Sequence, residues 1–168
     1  MKNRQPMRNR GLLVGLGIGC LLLAGCGVLA VVLGLGGITA IGTSIKDPSD
    51  IELGVIAPDT VQVGNSFSML VRIRNLAGKT QTLDSVDIAD EYLAGVQIQG
   101  SDPAFFESYA IFGHQSHTFQ IPIAAGTELI VQFRAAAAQA GDFSGTVDVC
   151  INTPSNCLTR TLRTVVTP

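Results

Sequence analysis

Hydrophobic and polar residues follow two different patterns along the chain. From residue 11 to residue 45 no side chain is charged and most are apolar, whereas from Ile51 onward apolar and polar residues alternate in short runs. An apolar stretch of about 20 residues is long enough for a helix to cross a bilayer. Alternation with a period of two is typical of a strand with one buried face. The pattern therefore predicts one N-terminal transmembrane helix followed by an all-β domain.

The alternation is clearest between residues 66 and 75, where Phe67, Met69, Val71 and Ile73 are separated by mostly polar residues. Strand-like runs between turn signals are also predicted at 51–56, 60–63, 80–88, 96–99, 118–123, 127–135, 143–151 and 158–166. One short helix is predicted after Asp102, with this residue as its cap and Pro103 in its first position. Seven to nine short strands without a long amphipathic helix indicate an antiparallel β-sandwich of two sheets.

Charge gives the orientation of the N-terminal helix. Residues 1–10 carry four Lys or Arg and no acid, so the positive-inside rule places the N-terminus in the cytoplasm and exports the rest. We therefore expect a cytoplasmic basic tail at 1–10, a signal-anchor that spans the cytoplasmic membrane at 11–42, a tether at 43–50 and an extracytoplasmic β-sandwich domain at 51–168.

Two other interpretations of the N-terminus stay open. The four residues that end at Cys26 read LAGC and resemble the lipobox of bacterial lipoproteins, in which Cys26 would become the lipidated N-terminus. The third interpretation is a cleaved, secreted protein. We favour the uncleaved helix because twelve further apolar or glycine residues follow Cys26, where a lipoprotein normally has a polar tether.

Small residues recur along one face of the predicted helix. Gly11, Gly15 and Gly19 have the small-xxx-small spacing that lets two membrane helices approach closely. A homodimer through this face is therefore one expected arrangement, although glycine is common in membrane helices in any case.

The exported part is acidic. Residues 46–168 hold all thirteen acids and seven of the eleven Lys and Arg, which argues against a nucleic-acid partner because such recognition rests on a basic surface. Its length suits one domain. Cys150 and Cys157 flank a cluster of Asn, Pro and Ser between two strand-like runs, so we expect them to form a disulfide across a hairpin in an oxidising compartment.

Four of the nine aromatic residues fall within eight positions: Phe105, Phe106, Tyr109 and Phe112. We expect these rings to be buried as a lid over one end of the sandwich, because apolar rings seek burial. If they are exposed, they form the best candidate contact surface for a protein partner or for the face of a sugar.

Acids and histidines between the strands do not match a known metal or catalytic motif. The acids lack the order of a calcium loop, and a solvated acidic edge is the favoured interpretation over a weak calcium site. The two histidines, combined with the exported cysteines, lack zinc spacing, and no nucleophile motif accompanies them. We therefore predict no metal, no cofactor and no enzymatic activity. The residues considered are Asp84, Asp87, Asp90, Glu91, Asp102, His114 and His117.

Two stretches resemble a known family. Residues 61–75 read VQVGNSFSMLVRIRN and residues 140–149 read AGDFSGTVDV. They are similar to the first strands and the final hairpin of immunoglobulin-like domains of the cell-adhesion-related type found in bacterial and archaeal surface proteins. The resemblance implies an immunoglobulin-like sandwich used for surface display or interaction, with no catalytic residues to carry over. Residues 84–117 depart from the family pattern.

Together these observations predict a membrane-anchored extracytoplasmic binding or structural module of a prokaryotic cell envelope. Its expected contacts are the lipid bilayer and an unidentified envelope or surface protein. The alternative is a carbohydrate- or calcium-dependent ligand-binding module, and a third hypothesis is an enzyme that uses His114 or His117.

Overall fold

The computed structural model describes residues 50–168, which form two packed β-sheets. The elements are β1 Ile51–Ile56, β2 Thr60–Gln62, β3 Ser66–Asn75, β4 Gln81–Ala89, α1 Asp90–Leu93, β5 Val96–Asp102, β6 Glu107–Ile111, β7 His114–Ile123, β8 Glu128–Ala137, β9 Gly141–Ile151 and β10 Cys157–Thr167. The predicted basic tail, transmembrane anchor and glycine face lie outside the described residues, as do Cys26 and all but the last residue of the tether. Between residues 50 and 168 no helix is long and apolar enough to cross a membrane.

The strand order is that of an immunoglobulin-like sandwich. One sheet has the order β1-β3-β8-β5 and the other the order β2-β10-β9-β4-β7-β6. In immunoglobulin terms the first sheet is A-B-E-D. The second is G-F-C, extended beyond C by β7 and β6, as in variable domains, and beyond G by the short strand β2. One difference is that the chain forms β5 before β6 and β7. The predicted all-β sandwich is confirmed, and the described residues contain one strand more than the upper limit of nine.

The additional strand is β6. All five of its residues are exposed, so it has no alternation of buried and exposed positions for a sequence pattern to reveal. The helix predicted after Asp102 is wrong, because Asp102 ends β5 and residues 103–106 form an irregular connection to β6. The hydroxyl of Ser101 donates to the Pro103 carbonyl and accepts from the Phe105 amide, which supplies a local alternative to helical hydrogen bonds.

Alternating residues of both sheets meet in one core. Met69, Val71 and Ile73 of β3 are fully buried, as their spacing predicts, and Val131 and Phe133 of the neighbouring β8 are buried beside them. The inward positions of the second sheet come mainly from β4 and β9. Their side chains are Leu83, Val86, Ile88, Val147, Val149 and Ile151. Burial of apolar area between the sheets is the main stabilising contribution of this fold.

The chain passes from one sheet to the other through α1. Tyr92 in this helix is completely buried, and its hydroxyl lies 3.0 Å from Oγ1 of Thr164 in β10. Since the Thr164 hydroxyl donates to the Pro58 carbonyl, the Tyr92 hydroxyl is the donor in this pair. Gly145 of β9 lies beneath the helix, where a Cβ would come within 2.9 Å of Ala89 and 3.1 Å of Tyr92. The absence of a side chain there lets α1 pack directly on β9.

A disulfide joins Cys150 and Cys157, as predicted. The two residues are register partners in the antiparallel pair of β9 and β10, so the bond crosses the hairpin between the last two strands. The closed loop is short, and the chain-entropy model gives a contribution of about 2 kcal/mol.

Asn75 ties the two sheets together at the end of β3. Its Nδ2 donates to the carbonyl groups of Ile123 and Lys79 at 2.9 Å and lies 3.2 Å from that of Ala124, while its Oδ1 accepts from the amide of Ala77. The side chain is completely buried. These bonds satisfy backbone groups of two loops at once.

We expect Asn75→Ala to lower the free energy of unfolding by about 3 kcal/mol, because it leaves buried backbone groups without partners. Urea denaturation followed by circular dichroism measures this loss. The matched control is Asn65→Ala, at an exposed side chain, which should change the value by less than about 0.5 kcal/mol. Equal effects of the two substitutions would contradict the structural role of Asn75.

Candidate functional site

A groove opens between the two sheets where β5 and the β6–β7 hairpin separate. It has a volume of about 440 Å³. The residues that line it come from α1, β5, β6, β7 and the connection between β5 and β6. They are Leu93, Val96, Gln97, Ile98, Phe105, Ser108, Gln115 and His117. None of these side chains is a carboxylate, an ammonium or a guanidinium, so the groove is apolar with a few neutral polar groups.

His117 is the most buried polar residue of the groove. Only 3% of it is exposed, and its ring packs against the rings of Phe105 and Phe133, at centroid distances of 4.6 and 5.4 Å. Burial lowers the pKa of His117 to about 4, because the interior disfavours the charged form. The imidazole is therefore neutral at pH 7.

Ser108 determines which nitrogen of His117 carries the proton. The Ser108 hydroxyl lies 3.0 Å from the Ser116 carbonyl, which can only accept, so its single proton goes there. It accepts a bond from Nε2 of Gln115 at 2.8 Å. Nδ1 of His117 lies 3.0 Å from the same oxygen and must then be the donor. These contacts assign the proton to Nδ1 and leave Nε2 as an acceptor with a free lone pair.

Nε2 of His117 is buried and has no hydrogen-bond partner among the described residues. Buried polar groups are normally paired, and an unpaired one costs about 1–3 kcal/mol. A pocket with apolar walls, a few convergent polar groups and a histidine of perturbed pKa has the character of a ligand site.

A second feature lies beside the groove and consists of the edge strand β6 with its turn. Its exposed apolar side chains, named here the hairpin surface, are Phe106, Tyr109, Ile111 and Phe112, which are 65%, 42%, 37% and 96% exposed. They make up half of the exposed large hydrophobic residues of the described part of the chain. Of the four aromatic residues expected to form a lid, only Phe105 packs on the core. The burial prediction is wrong for the other three, because Phe106 directly precedes the edge strand, Tyr109 lies on it and Phe112 lies in its turn.

Phe112 occupies the two-residue turn between β6 and β7. Its φ is +46° and that of the next residue, Gly113, is +80°, as a type I′ hairpin turn requires. Positive φ is unusual for a bulky side chain. The amide of Asp90 donates to the Gly113 carbonyl and so fixes the turn against α1. The fold therefore holds an almost fully exposed ring in a costly conformation.

The two histidines point to opposite faces of β7, because positions three apart in a strand have opposite orientations. His117 faces the interior, whereas Nε2 of His114 lies 3.5 Å from Asp148 and 3.1 Å from the Thr146 hydroxyl on the outer face. Asp87 is the register partner of Asp148, and its pKa is raised mainly by burial. In residues 50–168 no three His, Cys, Asp or Glu side chains converge on a metal position.

The Ser108–His117 pair lacks the features of a nucleophile and its base. The Ser108 proton is directed to a backbone carbonyl, and no carboxylate in the described residues contacts either nitrogen of His117. The pair is therefore a structural hydrogen bond within the groove wall rather than an activated hydroxyl.

Comparisons with known proteins give no family. No protein-family model and no curated protein matches the chain. The chain is similar to three solved structures. A CARDB domain from Pyrococcus furiosus, solved in complex with di-metal ions, is 15% identical and has a TM-score of 0.44, with 70% of this chain and 87% of that chain covered. A cohesin module of a Clostridium perfringens family 33 glycoside hydrolase is 13% identical and has a TM-score of 0.46. The match covers 70% of this chain and 96% of that chain. A cupredoxin domain of amoB from Nitrosocaldus yellowstonii is 8% identical and has a TM-score of 0.48. The match covers 73% of this chain and 90% of that chain. Nothing about ligand or activity follows for this chain at such values.

His117 should make stability depend on pH. Its pKa falls from 6.5 to about 4 on folding, so the unfolded chain binds more protons between these values. We expect the free energy of unfolding to be fully retained above pH 6.5 and to fall by about 3 kcal/mol as the pH falls to about 4. Asp87 acts in the opposite direction, because its raised pKa favours the folded state at low pH.

The contribution of His117 is the difference in the free energy of unfolding between the wild type and His117→Phe, taken at each pH. Urea denaturation at several pH values between 4 and 7 measures it. The variant should lose the part of the pH dependence that His117 contributes, about 3 kcal/mol between pH 6.5 and 4, whereas His114→Gln should retain it. A wild-type profile that is unchanged by His117→Phe would contradict a buried neutral imidazole.

Proposed function

We propose that the protein is a membrane-anchored, non-catalytic binding module of the cell envelope, which contacts a protein partner through the hairpin surface. The observation that supports this most directly is the exposure of Phe106, Tyr109, Ile111 and Phe112 around one edge strand. The four side chains fall within residues 106–112, and a concentration of exposed apolar side chains is typical of an interaction site. Aromatic rings are also the side chains most enriched at the centres of interfaces.

The edge position of β6 adds backbone hydrogen-bonding capacity to the same surface. β6 pairs only with β7 and ends the six-stranded sheet, so its outer side offers unpaired amide and carbonyl groups. Edge strands are often protected by lysine, proline or bulges. The sequence of β6, Glu107–Ile111, contains neither lysine nor proline. A partner could therefore add an extended segment to this edge and cover Tyr109 and Ile111, which lie on one face.

The proposed location rests on the sequence and on the disulfide. Residues 11–45 are uncharged and follow a basic tail, which supports an N-terminal anchor with the domain outside the cytoplasm. The Cys150–Cys157 bond suits an oxidising compartment. Lipidation at Cys26 would be a different anchor with the domain on the same side.

The absence of catalysis is part of this proposal. It is supported by the separation of His114 and His117 on opposite faces of β7 and by the direction of the Ser108 hydroxyl. A carbohydrate-binding module is the second candidate, because Tyr109 and Phe112 are exposed rings on which a sugar face could stack.

Protease accessibility tests the location. In cells whose cell wall has been removed, we expect added protease to degrade the domain while an N-terminal tag before Met1 stays protected. The mass of the membrane-extracted protein should equal that of the full chain. A mass that lacks the first twenty-five residues and includes acyl chains would identify the Cys26 anchor instead. Protection of the domain in the cells without a wall would contradict the proposed topology.

Site-specific photocrosslinking tests the partner surface. We expect a photoreactive phenylalanine derivative at Tyr109 to give one discrete protein adduct in intact cells, since this side chain is exposed on the edge strand. The adduct should be lost in Phe106→Ser/Phe112→Ser. It should persist in Leu76→Ser/Ile130→Ser, which removes two comparably exposed apolar side chains outside the hairpin surface.

The same crosslinker at Ile130 is the position control. Equal adducts from Tyr109 and Ile130, or an adduct that survives loss of both phenylalanines, would contradict the hairpin surface as the contact. Adducts that disappear only when a soluble glycan is added would favour the carbohydrate-binding candidate.

A further inference from the structure

The groove between the sheets combines apolar walls with one unsatisfied hydrogen-bond acceptor. Leu93, Val96, Ile98 and Phe105 supply the apolar surface. Nε2 of His117 supplies the acceptor, because Ser108 holds the proton on the other nitrogen. We propose that the groove binds a small neutral aromatic alcohol, whose ring packs on the apolar wall and whose hydroxyl donates to Nε2 of His117. This site is distinct from the proposed partner surface.

The groove has no charged lining residue, and this favours a ligand without a charge. No residue that lines it is acidic, and none is Lys or Arg, so an ionic ligand would lose its hydration without gaining a counter-ion. The neutral state of His117 at pH 7 adds to the same preference. A neutral molecule avoids this desolvation cost.

The unpaired acceptor Nε2 of His117 favours a ligand that carries a hydrogen-bond donor. A lone pair on Nε2 can accept a bond from an O–H or N–H group but cannot donate one. An ether or a ketone of the same shape would therefore leave Nε2 unsatisfied. Among donors, a single hydroxyl on a ring matches a site in which one acceptor lies among the rings of Phe105 and Phe133.

A buried water molecule is the simplest rival for this position. Ordered buried waters usually make about three hydrogen bonds. Nε2 of His117 has no hydrogen-bond partner among the described residues, and its ring packs against the apolar rings of Phe105 and Phe133, which offer a water no further hydrogen bond. An aromatic alcohol instead uses one hydrogen bond and gains from the apolar contacts.

Phe105 packs against the imidazole of His117, with 4.6 Å between the ring centroids. It is only partly buried and belongs to the connection between β5 and β6, outside both strands. Its displacement would break no pairing between strands. The ligand therefore reaches Nε2 by moving this ring, which then becomes part of the wall that covers it.

The test uses the full chain in lipid nanodiscs, with histidine labelled for nuclear magnetic resonance and p-cresol as the probe. The chain contains only two histidines, so their imidazole signals report on two separate places. We expect p-cresol to shift the His117 signals saturably and to leave those of His114 unchanged. The free concentration of the probe is measured by dialysis against protein-free nanodiscs, which accounts for its uptake into lipid.

4-Methylanisole is the matched ligand without a donor. We expect it to bind about tenfold more weakly, which is the effect of losing about one hydrogen bond. His117→Phe should bind the two compounds equally, and His114→Gln should preserve the tenfold difference. If His117→Phe does not fold, Ser108→Ala serves instead, because it frees the His117 tautomer and should reduce the difference.

Four outcomes would overturn the proposal, and the first three concern the binding of the two compounds. They are the absence of a saturable His117 shift, equal binding of the two compounds to the wild type, and a shift that also appears at His114. Exchange signals between the His117 ring and a bound water that persist at saturating p-cresol would assign Nε2 to water and would likewise overturn it.

Discussion

The arrangement of the candidate site depends on one buried side chain at the crossover between the sheets. Tyr92 lies in the segment that connects β4 to β5, and its hydroxyl is hydrogen-bonded to Oγ1 of Thr164 in the last strand. Leu93 and Val96, which follow directly, form one wall of the groove. Because α1 packs on β9 over Gly145, the distance between this wall and the β6–β7 hairpin is set by the core rather than by a surface loop. The groove is thus a consequence of how the chain changes sheets.

Most of the sandwich is predictable from the sequence because its strands have one buried face. The alternation in β3 gives both the strand and the residues that enter the core, and the spacing of Cys150 and Cys157 gives the final hairpin. β6 is not predictable in this way, since no face of it is buried. The short helix is misplaced for a related reason. Asp102 and Pro103 have the local preferences of a helix start, but the hydroxyl of Ser101 satisfies the nearby backbone groups instead.

The candidate site is less predictable, because its residues come together only through the tertiary fold. The eight residues that line the groove span positions 93–117 and come from both sheets, from α1 and from the connection between β5 and β6. One signal was present in the sequence: His117 is in phase with Phe119 along β7 and therefore lies on the inward face. The same alternation of side chains along a strand places His114 and His117 on opposite faces of β7, although they are only three residues apart in the sequence. The proton position on His117 depends on Ser108, whose strand the sequence does not reveal.

The long axis of the sandwich has a mechanical consequence. The described chain enters at Ile51, beside Asn75 and the end of β7 at Ile123, whereas the turn at Phe112 precedes β7 and lies at the other end. A tensile load applied between these two points would run parallel to the strands. The six register pairs of β1 with β3 would then be sheared together rather than unzipped one after another, since their hydrogen bonds lie across the direction of pull. The pairing of β1 with β3 would therefore resist a load in this direction.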